Sequence, residues 1–170
     1  MNAEEPAARD WQRSKVYAAE EFVRTLFDRA AEHGSGSVEF FGMQLTLPPE
    51  ARFASVPAVQ RYVDEVLALP AVRRQWPNVA PLKVRARRAA TAAHYENRDG
   101  AGVIAVPDRA TADWAMRELV VLHEIAHHLC DAQPPHGSQY AATLCMLAEL
   151  VMGPELGHVL RVVYAKEGVR

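Results

Sequence analysis

Apolar positions spaced three and four residues apart predict five helices along the chain. In the first, apolar positions from Val16 to Ala30 share one face, and a Gly-Ser cluster follows the helix. Pro57 favours the start of the second helix, and Thr111 or Asp113 can cap the third. The predicted helices cover about residues 10–32, 57–69, 111–131, 138–153 and 155–166.

β-forming residues between these helices predict a small sheet. Residues 38–47 form a strand or a short hairpin around Gly42. Residues 82–95 and 101–106 are predicted as two strands joined by a turn at Asn97–Gly100. The order helix, strand, helix, hairpin and three helices predicts an α+β fold with a short, mostly antiparallel sheet packed with helices.

Composition limits the classes of protein that this chain can belong to. With 170 residues and 49% hydrophobic positions, we expect a flexible tail at 1–9 and a single domain at 10–170. The polar, acidic start is unlike a signal peptide, and no apolar run reaches the roughly 18 residues of a membrane span. Cys130 and Cys145 lie in apolar helical segments and are predicted to be free, buried thiols of a cytoplasmic protein.

A basic stretch, LKVRARRAA, raises the question of a nucleic-acid partner. Lys83, Arg85 and Arg87 alternate, so they would share one face of a strand. The same pattern is typical of an ordinary solvent-facing strand. A formal net charge of −2 gives no general attraction to nucleic acid or to an anionic membrane, and we predict neither partner.

The most informative segment is VVLHEIAHHLCDAQPPHGSQY, which contains the motif His123-Glu124-Ile125-Ala126-His127. Residues four apart lie on one face of a helix, so both imidazoles can reach one ion. A shuffled chain with 7 histidines would contain HExxH only about 0.02 times, which favours a functional motif over coincidence. The sequence therefore predicts a zinc site with Glu124 as the general base and then acid, acting on a water whose pKa zinc lowers to about 7.

A catalytic zinc commonly has three protein ligands and one open position, so a third ligand is needed. His136 is the leading candidate, because it follows a Pro-Pro turn that can bring the chain back under the helix. Glu149 on the next helix is the main alternative, and Asp131 is a weaker one. Cys130 shares the helical face of the two motif histidines, but packing is the simpler role for it.

The roles of three neighbouring residues allow more than one interpretation. His128 points about 100° away from His127 on an ideal helix, which favours a supporting or surface role. Glu149, if it is not a ligand, could hydrogen-bond a ligand histidine. Tyr140, one turn after His136, either packs in the core or polarises a substrate carbonyl.

These motifs resemble the zincin superfamily of metallopeptidases. The strand VIAVP followed by the helix with HEIAHH is similar to the core of small zincins, and PHGSQY resembles the HGxxF segment of SprT-like zinc proteases. The compact layout over residues 80–153 also resembles actinobacterial HExxH-containing metallohydrolases. The resemblance implies that His136 is the third zinc ligand, with Tyr140 at the aromatic position.

The resemblance also implies an activity. It predicts a zinc-dependent peptidase that binds an extended peptide by strand addition along an edge strand including Val103–Val106. The alternative is a metal-stabilised binding or regulatory module without turnover, and the oligomeric state stays open.

Overall fold

The structure, a computed structural model, describes residues 9–88, 91–108 and 116–170. Within these residues the fold is α+β, as predicted. The helices are α1 (Arg13–His33), α2 (Val56–Ala68), α3 (Pro70–Gln75), α4 (Glu118–Leu129), α5 (Ser138–Met152) and α6 (Pro154–Glu167). The strands are β1 (Ser37–Phe40), β2 (Met43–Thr46), β3 (Leu82–Arg87), β4 (His94–Arg98) and β5 (Ala101–Pro107).

The first pair of strands confirms the hairpin predicted at 38–47. β1 and β2 are antiparallel and turn at Phe41–Gly42, where both residues have positive φ angles. Glycine adopts this backbone conformation without the steric cost that a side chain brings. The hairpin follows α1 directly, and the buried Val38 and Phe40 join the core.

The three-stranded sheet has a different topology from the one predicted. Residues 82–95 are not one strand, because β3 ends at Arg87 and β4 begins at His94. The strand order is β3-β5-β4, with β3 parallel and β4 antiparallel to β5, so the sheet is mixed. The Asp99-Gly100 turn joins β4 to β5 as predicted.

This order places β5 in the centre of the sheet. Val103–Val106 therefore cannot be the edge strand that receives a peptide, and that prediction was wrong. The physical reason lies in burial: Ile104, Ala105 and Val106 are fully buried, and a strand of this kind is most stable with a neighbour on each side. The edge strand beside α4 is β4. On β3, the guanidinium of Arg85 is paired with Glu96 at 2.7 Å.

Tertiary contacts determine where α4 begins. Thr111 and Asp113, the predicted caps, lie outside the described residues, and the helix begins at Glu118. Arg117 is extended and forms a β-bridge with Arg52, while the Glu118 N–H donates to the Ala51 carbonyl at 3.0 Å. The Glu118 carboxylate in turn accepts from the Ala51 N–H, at 2.8 Å.

The helices pack into one core around α4. Val16, Val23 and Phe27 of α1 are buried, and so are Leu156 and Leu160 of α6, which packs against α1. α5 and α6 begin and end within two residues of their predicted bounds, whereas α3 was not predicted. Among the helices that the structure describes, none combines the length and apolar character needed to cross a bilayer.

Candidate metal centre

Three imidazoles converge at the end of α4, and we call His123, His127 and His136 the histidine cluster. One helical turn separates His123 from His127, and their Nε2 atoms are 3.2 Å apart. The chain then turns through Pro134 and Gly137, whose N–H donates to the Pro134 carbonyl at 2.9 Å. This turn brings Nε2 of His136 to 3.2 Å from Nε2 of His127, so the predicted return of the chain toward the helix is confirmed.

Two carboxylates, the buried Glu20 and the half-buried Asp10, orient the outer rings of the cluster. Nδ1 of His123 donates to Glu20 at 2.8 Å, and Nδ1 of His136 donates to Asp10 at 2.7 Å. A carboxylate only accepts hydrogen bonds, so we assign the proton of each ring to Nδ1. The Nε2 lone pairs of both rings then point toward His127, as they must to bind a cation.

The spacing of the three nitrogens suits a tetrahedral metal ion. With Zn–N bonds of about 2.0–2.1 Å, two nitrogens of a tetrahedron lie about 3.3 Å apart. The two Nε2 separations of 3.2 Å are close to this value, and the three nitrogen atoms lie within 4.8 Å of one another. The three-nitrogen donor set is therefore compatible with a divalent metal ion.

Charges around the cluster act differently on its members. Burial lowers the pKa of His127 to about 2, and the positive charges of His123, His136 and more distant groups such as Arg13 add to this effect. Burial also acts against protonation of His123, but the Glu20 carboxylate outweighs it and raises the pKa of that ring. His127 is thus neutral at pH 7, which is the form that binds metal.

Glu124 lies beside the cluster in a buried position. Only 5% of its surface is exposed. Burial raises the pKa of Glu124, although the charge of His123 and a hydrogen bond from the backbone N–H of Tyr95 act in the opposite direction. A raised pKa brings a carboxylate closer to the range in which it can both accept and deliver a proton.

An open cleft of about 860 Å³ leads to the histidine cluster. Glu124 and His127 line its floor, and Tyr95 of the edge strand β4 lies on one side. Arg13 and Tyr17 of α1 also line it. Sites for small molecules and short peptide segments commonly have volumes of this order.

Tyr17 forms part of the wall nearest to the cluster. Its ring centroid lies 5.3 Å from that of His123 and 5.4 Å from that of His136. Burial, and then the charge of Glu124, raise the pKa of Tyr17, so its phenol keeps its proton at neutral pH. The side chain still has 38% of its surface exposed, which leaves it accessible from the cleft.

The alternative third ligands lie elsewhere or take other roles. The Glu149 carboxylate is paired with Arg161 of α6 and does not touch a histidine of the cluster. Asp131 is exposed and Cys130 is half-buried, and both line the cleft without joining the cluster. The second role considered for Glu149, support of a ligand histidine, belongs to Glu20 and Asp10 instead. Cys145 is buried, and both cysteines are free.

His128 supports the wall of the cleft rather than the cluster. Its Nε2 donates to the Ala80 carbonyl at 2.7 Å, so Nδ1 accepts from the Tyr95 hydroxyl at 3.2 Å. The ring fills the space above Gly102, where an added Cβ would lie 2.4 Å from Nδ1. This link fixes β4 and the segment around Ala80 to α4.

Tyr140 packs beneath the cluster. It is 1% exposed, its ring stacks on His127 with centroids 4.4 Å apart, and its hydroxyl donates to the His123 carbonyl at 3.4 Å. This position favours the packing role over contact with a substrate.

The sequence reasoning missed the contribution of α1 and the residues before it. Asp10, Arg13, Tyr17 and Glu20 recur at three- and four-residue spacing and face the cluster or the cleft. The available signal was Glu20, which interrupts the apolar face of α1. A carboxylate in such a position needs a buried partner.

Comparison of the chain with models of protein families, with curated proteins and with solved structures found no match.

Proposed function

We propose that the protein is a zinc-dependent hydrolase that acts as a peptidase, with His123, His127 and His136 as the metal ligands. The observation that carries this proposal is the convergence of three Nε2 atoms beside a buried glutamate at the floor of an open cleft. A structural zinc usually has four protein ligands, whereas a catalytic zinc keeps one position open. The three-nitrogen donor set therefore favours catalysis over a purely structural role.

Zinc bound here would supply a Lewis acid that makes water acidic enough to ionise near neutral pH. Glu124 then accepts the proton of the attacking water and delivers it to the departing amine. Its burial supports this role, because a desolvated carboxylate holds a proton more readily than an exposed one. Glu20 and Asp10 keep the ligand rings in the tautomer that presents Nε2.

In this proposal, an extended peptide pairs with the edge strand β4. The backbone N–H of Tyr95 favours the ionised form of Glu124, which places this part of β4 near the carboxylate, and in an antiparallel ladder alternate residues face the same way. Tyr95 and Asn97 both line the cleft. The proposed compartment is the cytoplasm, where free thiols such as Cys145 persist.

The first test measures bound metal by mass spectrometry in protein purified without added metal. Wild type should carry about one zinc per chain, as one three-histidine site requires. His136→Ala should lose the metal, while Glu149→Ala, which alters a glutamate outside the cluster, should keep it. No bound metal after zinc addition would refute the proposal.

The second test concerns turnover. Zinc-loaded wild type should cleave members of a library of internally quenched peptides, whereas Glu124→Gln should keep its zinc and lose at least about 100-fold in rate. Stoichiometric zinc without turnover on any amide substrate would instead favour the metal-stabilised binding module.

A further inference from the structure

The cleft carries a cation that the hydrolytic chemistry does not use. Arg13 is exposed at the start of α1, and its guanidinium lies 5.6 Å from the ring centroid of Tyr17. Among the described residues that line the cleft, Arg13 is the sole arginine or lysine. The guanidinium is therefore a distinctive charge on this wall.

Among the described residues, no carboxylate forms an ion pair with Arg13. Asp10 lies three positions before Arg13, but its Oδ2 accepts from His136, and its buried Oδ1 has no hydrogen-bond partner in the described residues. The ion pairs found in the described part of the chain do not include Arg13. The planar guanidinium thus has donors available for a ligand, and a carboxylate matches their geometry.

The distance from Arg13 to the histidine cluster is comparable to the length of a few peptide residues. Tyr17 lies between them, 5.6 Å from the guanidinium and 5.3 Å from the ring of His123. An extended peptide advances about 3.3–3.6 Å per residue. A carboxylate held by Arg13 therefore leaves an amide bond one to three residues away within reach of the histidine cluster.

We infer that the cleft selects substrates with a carboxylate near the scissile amide, and that Arg13 binds this carboxylate. The inference rests on the proposed hydrolase function for its catalytic meaning, but the binding of the carboxylate can be measured by itself. The group is either the terminal carboxylate of a peptide or the side chain of an acidic residue. Both sources present the same chemistry to a guanidinium.

The test uses zinc-loaded Glu124→Gln protein and isothermal titration with four probes. N-acetyl-trialanine as the free acid is compared with its amide, which isolates the terminal carboxylate. N-acetyl-Ala-Glu-Ala-amide is compared with its glutamine counterpart, which isolates the side chain. In at least one of the two comparisons, we expect the acid to bind about 10-fold more tightly than its neutral analogue, because a bidentate contact with a guanidinium is charge-assisted.

Variants test whether Arg13 causes the preference for carboxylates. Arg13→Met should abolish it, Arg13→Lys should keep part of it, and Arg29→Met, an exposed arginine of the same helix outside the cleft lining, should not change it. Equal binding of acid and neutral probes would overturn the inference. So would a preference that survives Arg13→Met, because the carboxylate would then be bound elsewhere, for example by the metal.

The same experiments separate this inference from the proposed function. The carboxylate site would be refuted, and the hydrolase function kept, if amidated and free-acid peptides were cleaved equally well and Arg13→Met did not change KM. If the protein bound no zinc but still preferred carboxylates through Arg13, the carboxylate site would be supported and the zinc-dependent hydrolase refuted. The titration is therefore repeated on protein without added metal.

Discussion

Replacing Glu20 with glutamine is expected to weaken metal binding without unfolding the protein. The carboxylate is 2% exposed and accepts two hydrogen bonds of 2.8 Å, from Nδ1 of His123 and from the hydroxyl of Tyr164. Glutamine has the same shape and can keep both contacts, with its oxygen on His123 and its amide on the Tyr164 oxygen. The substitution therefore removes the charge and reverses the direction of the bond to Tyr164, while the shape of the side chain is kept.

The size of the effect follows from this contact. Hydrogen bonds to a charged acceptor are about twice as strong as neutral ones, and the Glu20 charge makes His123 a stronger donor to the metal. Loss of a supporting carboxylate of this kind typically weakens metal binding by about 10–100-fold. This corresponds to about 1.4–2.8 kcal/mol of binding free energy.

Competition for zinc with a chromophoric chelator at neutral pH measures the affinity. Glu21→Gln, an exposed neighbour on α1, is the matched control and should bind zinc like wild type. Urea denaturation of each metal-free protein shows that the fold is retained. An unchanged zinc affinity in a folded Glu20→Gln protein would refute the assigned role of Glu20, and so would an equal loss in Glu21→Gln.

Two further changes test how α4 is held in place. Arg117→Met should lower the free energy of unfolding in urea by about 3–5 kcal/mol, because it leaves the buried Glu50 carboxylate, 2.6 Å from the guanidinium, without its partner. A loss below about 1 kcal/mol, the value typical of a surface ion pair, would contradict this prediction. Gly102→Ala should cost about 1–3 kcal/mol by pressing a Cβ against the imidazole of His128. The same glycine substitution made in a His128→Ala background should cost much less, and equal costs in both backgrounds would contradict the clash.

The parts of the site that could be predicted from the sequence are those that depend on local spacing. His123 and His127 are one helical turn apart, and His136 follows after a single turn of the chain. Glu20 and Asp10 could not be placed in the same way, because they lie 103 and 126 positions from the rings that they orient. Only the packing of α1 and of the residues before it against the histidine cluster brings these carboxylates to the rings.

The distinction between local and long-range contacts also explains the errors in the predicted fold. Turn residues predicted the β4–β5 hairpin correctly, since Asp99-Gly100 acts within a few residues. The pairing of β3 with the far side of β5 depends on strand order, which residue patterns within a strand do not specify. The start of α4 depends on Ala51, which lies 67 positions before Glu118. A local capping pattern gives no information about such a partner.

The bond between Glu20 and Tyr164 has a consequence for how the protein matures. As the chain is synthesised, the three members of the histidine cluster appear well before Tyr164 of α6, which orients Glu20 through a contact 144 positions long. Such long-range contacts form late, because loop closure is costly until both ends are packed. For the proposed metal site, we therefore expect a nascent chain to bind metal weakly through the histidines alone, and tight metal binding to begin when α6 docks against α1.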